Sequence, residues 1–260
     1  MYLVVVYGWE IEEVEVAKAV ADTLSILLFE ARQKIAGGGP RVLATFADAL
    51  PAETLAARLS EAGVPALSVD PVSVRSGTPP FSVRRFVLGP EALELESNAG
   101  DACRIDYGTI DLLLAANCSA GQTQTTHTTT ERKFSLGKTL LSGGLPMTKK
   151  VTTEETLTSI ERDETLWLYA RERGAVVFNR GALDYSGLGD AMQLTRDLNF
   201  NRFKTSLRGL APQARYDDRL LKRAEQVRLI GPSLNPDTDI DLAFEILFRT
   251  LLPQPGDSGS

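Results

Sequence analysis

Hydrophobic positions along the chain fall into two rhythms, and the change from one to the other divides it. Tyr2 to Tyr7 is a short, wholly apolar run, which reads as a strand buried on both sides. Val14, Ala17, Ala21 and Leu24 then recur at helical spacing, behind an acidic start that suits the positive end of a helix dipole. Leu28, Ala31 and Ile35 mark a second helix that Gly37 to Gly39 terminate. Val42 to Phe46 reads as a strand. Pro51 opens a third helix with Leu55 and Leu59 inward, ending at Gly63, and Ala66 to Val69 is a strand again. Strand, helix, helix, strand, helix, strand predicts a two-layer α+β unit over residues 1–71.

Val72 to Phe81, rich in Pro, Gly and Ser, reads as a linker. Beyond it the rhythm is period two: Ser82 to Leu88, then Ala92 to Glu96, then Cys103, Ile105 and Tyr107 alternating with Arg104 and Asp106. Ile110 to Ala116 is apolar enough for burial on both sides. Short strands separated by Gly89-Pro90 and by Asn98–Asp101 predict an antiparallel sheet or barrel. Thr123 to Phe134 and Lys149 to Ile160 are threonine-rich and polar on both faces, and they pair as one long hairpin over 123–160 with Ser135 to Thr148 at its tip. Strands near Leu166, Val176 and Leu183 follow. A helix over Phe200 to Leu210 then places Phe200, Phe203, Leu207 and Leu210 on one face and Asn201, Arg202, Lys204 and Arg208 on the other. In residues 211–253, Tyr216 to Val227 and Leu242 to Leu252 read as tail helices, the second with Phe244, Leu247, Phe248 and Leu251 as its apolar stripe.

Two stretches resemble known families. LLFEARQKI, with Glu30-Ala31, and AETLAARLSEAGVPALSV, with Leu55, Leu59 and Ala62-Gly63, resemble the C-terminal domain of ribosomal protein L7/L12, whose general fold the protease adaptor ClpS shares. The resemblance implies docking of protein partners. The basic residues that such domains carry on exposed helices are here Lys18, Arg32 and Lys34. The strands FSVRRFVLG, ALELE and CRIDYGTIDLLL, closed by the helix NFNRFKTSLRGL, resemble a pleckstrin-homology-like domain over residues 81–210. The expected fold class is therefore α+β: the small N-terminal domain, an antiparallel PH-like β barrel with a capping helix, and a helical C-terminal tail.

Composition narrows the chemistry. The chain has 260 residues and a formal net charge of −6, which disfavours a general nucleic-acid binder because such a protein needs a basic face to displace counterions. No basic n-region precedes the first apolar run and no run approaches the length of a membrane span, so a cytoplasmic location is expected. Cys103 and Cys118 lack metal-type spacing and read as reduced thiols. Gly137-Lys138-Thr139 suggests a phosphate loop, but the pattern requires glycine at 132, where Arg132 stands. Leu141-Ser142-Gly143-Gly144-Leu145 lacks the Walker partner that would make it an ATPase signature. His127 is the single histidine, which leaves little for acid–base catalysis. Asp217-Asp218 and Asp237, Asp239 and Asp241 are the carboxylate sets that could hold a cation. The second set lacks the glycine and terminal glutamate of a calcium loop and fits an acidic helix start better. Trp167 and Tyr169 share a strand face opposite Leu166 and Leu168. No catalytic, cofactor or metal set emerges.

The expected function is a non-enzymatic adaptor or scaffold that docks protein partners through the hairpin tip. There Leu136, Leu140, Leu141, Leu145 and Met147 lie among glycines, with Lys138, Lys149 and Lys150 alongside. Such a loop inserts into a protein groove or, less readily, a lipid headgroup layer; folding back into a core gap is the competing use. The alternative function is a regulatory protein that senses a small molecule in the barrel or the interdomain cleft.

Overall fold

The first strand, β1 (Tyr2–Val6), is central to a sheet, which explains why its run is apolar throughout. The computed structural model describes residues 1–10, 13–134, 148–171 and 173–252, and of residues 120–134 and 148–161 the backbone alone. β1 pairs antiparallel with β2 (Arg41–Phe46) on one side and with β3 (Ala66–Val69) on the other. Helices α1 (Val14–Leu24), α2 (Leu28–Ile35) and α3 (Ala49–Glu61) cover one face. Val4 and Val6 meet Ala17, Val20, Ala31, Ile35, Leu55 and Leu59 there. α2 begins where the Glu30 carboxylate accepts the backbone N–H of Leu27 at 3.1 Å.

The first half of the expected linker Val72 to Phe81 belongs to a short helix, α4 (Pro71–Ser76). Pro71 stands in its first turn, where a missing N–H costs nothing, and the Asp70 carboxylate caps it by accepting from the Val72 N–H at 2.9 Å. A second sheet then assembles from β4 (Phe81–Leu88), β5 (Ala92–Ser97), β6 (Ala102–Asp106), β7 (Ile110–Phe134), β8 (Thr148–Ala170), β9 (Val176–Asn179) and β10 (Arg215–Leu220), in the order β10-β7-β8-β9-β4-β5-β6. The protein is thus α+β. The second sheet is mixed rather than antiparallel, because β4 with β9 and β7 with β10 run parallel. Among the described residues no closed barrel forms, and β6 and β10 stand at the two ends of the strand order.

Alternation along β7 and β8 explains how one sheet serves two cores. Leu113, Ala115, Leu166 and Leu168 face a core closed by helix α5 (Arg196–Leu210), whose Phe200, Phe203 and Leu207 are fully buried against Phe86, Leu95 and Phe178. Leu112, Leu114, Ala116, Trp167 and Tyr169 face the other way. They share a core with Leu3, Val5 and Val69 of the first sheet and with the helices α6 (Arg223–Ile230) and α7 (Ile240–Leu251). Trp167 stacks on Phe244 at 4.2 Å and Tyr169 on Phe248 at 4.7 Å. The tail helices therefore bury one face in the core that the two sheets share, while α6 leaves Val227 exposed on the other.

Tyr216 to Val227, expected as one helix, splits. Tyr216 and Asp217 pair with Leu113 and Leu114, and a turn at Leu221 and Lys222 precedes α6. The open ladder of β7 takes up the backbone groups of this stretch, and that outweighs its weak helical period. Near Leu183 a strand was expected. The chain makes a single bridge from Asp184 to Arg85 and turns into a 3-10 segment over Tyr185–Ala191. Gly187 is required in that turn, since a Cβ there would lie 1.9 Å from the Phe86 carbonyl oxygen.

Met1–Cys118 with Asp163–Ser260 forms one compact unit, which holds all the cores above. Ser119–Arg162 forms a second unit by itself, to which the backbones of β7 and β8 contribute, so the threonine-rich tracts are strands. No helix among the described residues is long and apolar enough to cross a membrane.

Candidate functional site

β2 lies at an end of its sheet, and the order β2-β1-β3 leaves its outer side without a strand. Among the described residues no hydrogen bond from a loop or a neighbouring strand reaches that outer side. An edge of this kind presents backbone N–H and C=O groups to whatever lies beside it. Here it forms the floor of a groove of about 730 Å³. One wall is the side of α2 carrying Glu30, Gln33 and Lys34, preceded by Ile26. The other is Ile230 to Ser233, the turn that ends α6. The walls exist because the first sheet is sandwiched, with α2 on one face and the helices of the shared core on the other.

The strand carries a bulge at Leu43, where Val4 stands opposite Ala44 while Val5 stands opposite Val42. Arg41 and Leu43 consequently share the face toward α2, and Val42 faces the shared core. A bulge on an edge strand is a device against indiscriminate pairing, because it twists the strand out of a flat register.

At the shoulder of the groove the first turn of α2 and the residue before it are apolar and exposed: Leu27 is 71% exposed, Leu28 39% and Phe29 68%. Phe29 stands one helical turn before Gln33, which lines the groove. Three consecutive apolar residues at a helix start cannot all face inward, and here Ala31 and Ile35 take the buried positions. An apolar run outside the core in this way marks an interaction surface.

The charges are arranged unequally. The Glu30 carboxylate is occupied by the Leu27 N–H. Arg41 is half-buried. Its Nη1 donates to the Ala36 carbonyl at 3.1 Å, while its Nε is buried with no hydrogen-bond partner among the described residues. Burial first, and the neighbouring Arg228 second, push the Arg41 guanidinium below its usual pKa. The turn from α2 to β2 is held from below by Arg219, whose Nη1 donates to the Gly39 carbonyl at 3.0 Å. Gly38 stands there at φ +83° because a Cβ would meet the Glu10 carbonyl oxygen at 2.5 Å.

The sequence-predicted sites distribute differently. Leu136, Lys138, Leu140, Leu141, Leu145 and Met147 lie outside the described residues, as do Gly137-Lys138-Thr139 and the stretch from Leu141 to Leu145. Lys149 and Lys150 belong to β8 by their backbone, His127 belongs to β7 in the same way, and their side chains lie outside the description. Among the described residues arginines engage every carboxylate of these sets except Asp218. Asp217 binds Arg219 at 2.8 Å, Asp237 binds Arg223 at 2.7 Å, and Arg75 bridges Asp239 and Asp241 at the start of α7. Among the described residues no three His, Cys, Asp or Glu side chains come together as a metal set. Cys103 is buried, Cys118 lies beside the Thr165 hydroxyl at 3.3 Å, and both thiols are free.

The groove escaped the reading of the sequence, although Lys34 and the α2 helix figured in it. The available signal was the surplus apolar run Leu27-Leu28-Phe29. That β2 lacks an outer neighbour is a fact of topology. Comparison with known protein families, with curated proteins and with solved structures finds no match to this chain.

Proposed function

We propose that this protein is a non-enzymatic cytoplasmic adaptor, and that it docks an extended segment of a partner protein as an added strand along β2. The observation that carries the reading is the edge strand lying along a groove walled by α2, the helix whose start leaves Leu27 and Phe29 exposed. A strand laid there satisfies backbone groups on both chains, each hydrogen bond contributing about 0.5–1.5 kcal/mol net. Its side chains alternate between α2 and Ile230–Ser233, so the walls select among sequences while the backbone supplies affinity. The likeness of the N-terminal residues to L7/L12- and ClpS-type domains, and of residues 81–210 to a pleckstrin-homology-like domain, belongs to the same reading, since both imply partner docking. The hairpin tip, with Leu136, Lys138, Leu140, Leu141, Leu145, Met147, Lys149 and Lys150, is in this proposal a second docking element.

The test is selection of peptides from a random phage-displayed library on the immobilised full chain, followed by hydrogen-exchange mass spectrometry. Selected peptides are expected to slow exchange across Arg41–Thr45 and to lose binding in Phe29→Asp. Protection elsewhere, or no enrichment over a blank surface, overturns the docking reading.

A second reading, a small-molecule sensor, rests on a depression of about 680 Å³ over β4, β5 and β6. On the outer face of these strands it is lined by the side chains of Arg85, Val87, Glu94, Glu96, Ala102 and Arg104. That volume is in the range of small-ligand sites. A reproducible extra mass in native mass spectrometry, lost in Val87→Asp at an exposed position of the lining, would favour it.

A further inference from the structure

We infer that the segment docked on β2 is acidic, with an Asp or Glu side chain set against Arg41 and Lys34; this rests on the docking reading above. Lys34 closes the last turn of α2 and Arg41 opens β2, so both cations lie where the helix and the strand are joined, and both line the groove. Neither makes an ion pair among the described residues. The acid that also lines this wall, Glu30, already serves as the cap of α2. With Glu30 still charged, Lys34 and Arg41 leave the groove lining net positive by one charge, a local reversal of sign on a chain of formal net charge −6.

The placement of Arg41 sharpens the argument. A half-buried guanidinium without a counter-charge is costly, because the medium that screens it is partly protein. Arg228 nearby adds a like charge and cannot relieve it. A carboxylate arriving on the α2 side of an added strand would meet both cations in a partly desolvated site, where a charge-assisted hydrogen bond is roughly twice as strong as a neutral one.

The same charges argue against a second copy of this chain as the occupant. Its β2, Arg41-Val42-Leu43-Ala44-Thr45-Phe46, contains no carboxylate and would bring a further Arg41 into the slot. The bulge at Leu43 opposes such flat self-pairing as well.

The experiment uses the full chain and four fluorescein-labelled heptapeptides alternating Val with a variable residue: three capped, with Glu, Gln or Lys, and one with Gln and a free C-terminal carboxylate. Binding is read by anisotropy, and occupancy of β2 by hydrogen exchange across Arg41–Thr45. The Glu peptide is expected to bind about 10-fold tighter than the capped Gln peptide at low salt, with the gap narrowing as salt rises. Arg41→Gln should erase most of that ratio. Lys34→Gln, at an exposed position that folding does not depend on, should lower it about 2–5-fold. Equal binding of Glu and Gln peptides with β2 protected overturns the acidic preference and leaves the docking reading standing. Tight binding confined to the free-carboxylate Gln peptide also overturns it, in favour of a chain terminus. Concentration-dependent dimerisation that protects β2 replaces the acidic partner with a second copy. Binding of none of the four defeats the inference and the docking reading together.

Discussion

Truncating the apolar stripe of α5 one residue at a time should produce a graded loss of stability that follows burial. Phe203 is fully buried, with its ring 4.5 Å from Phe86 and 4.9 Å from Phe178, so it joins the helix to β4 and β9 at once. Phe203→Ala removes the ring and leaves a cavity that three packed elements cannot close, at a cost of about 3–5 kcal/mol. Leu207→Ala, equally buried, should cost about 2–4 kcal/mol. Leu210, on the same stripe but 37% exposed at the helix end, should cost only about 0.5–1 kcal/mol. Phe203→Leu keeps much of the volume and should cost under about 1.5 kcal/mol. Against a typical total of about 5–15 kcal/mol, the largest of these is a substantial fraction. Urea unfolding followed by Trp fluorescence measures the series, because Trp167 stacks on Phe244 in the neighbouring core of the same unit. The corresponding drop in Tm for Phe203→Ala is about 6–20 °C. A loss below about 1 kcal/mol for Phe203→Ala, or one no larger than that of Leu210→Ala, would mean that the sheet is not closed by this face of the helix.

Three further outcomes are expected. Lys204 and Glu164 form an ion pair whose side chains are only 11% and 16% exposed, so Lys204→Met should cost about 3 kcal/mol by stranding the carboxylate, and adding Glu164→Gln should recover part of it in a double-mutant cycle. The Asp184 carboxylate is held below the usual range, first by the Ser186 N–H, then by the Ser186 hydroxyl and Arg85. Its folded-state pKa is the lower one, so its contribution is complete above the ordinary carboxylate value, about 4, and fades as the pH falls through the folded value. Asp184→Asn should therefore lower the urea midpoint at pH 7 and leave it less sensitive than wild type to acidification toward roughly pH 3. Burial raises the pKa of both Cys103 and Cys118, so iodoacetamide at neutral pH should modify neither in the folded chain and both in urea, as counted by intact-mass spectrometry.

Periodicity alone determined most of the elements. Near neighbours in the chain set it, and those neighbours stayed together in the fold: the apolar run of β1, the alternation of β5 and β6, the stripe of α5, and the long threonine-rich strands. The acidic first turn of α7 was legible for the same reason, although Asp239 makes no side-chain cap there and its carboxylate instead accepts from the Asn235 N–H and pairs with Arg75. Tertiary structure decided what depends on partners distant in sequence. Arg215–Leu220 is a strand because β7 offers an open parallel ladder about a hundred residues upstream, and Trp167 and Tyr169 face a core because α7 arrives from the far end of the chain. The groove belongs to this second class. Lys34, Arg41 and Leu27-Leu28-Phe29 stand in plain view in the sequence. What makes them a site is that β2 ends its sheet between two layers of helices, and no local pattern of side chains records which strand of a sheet is left without a neighbour.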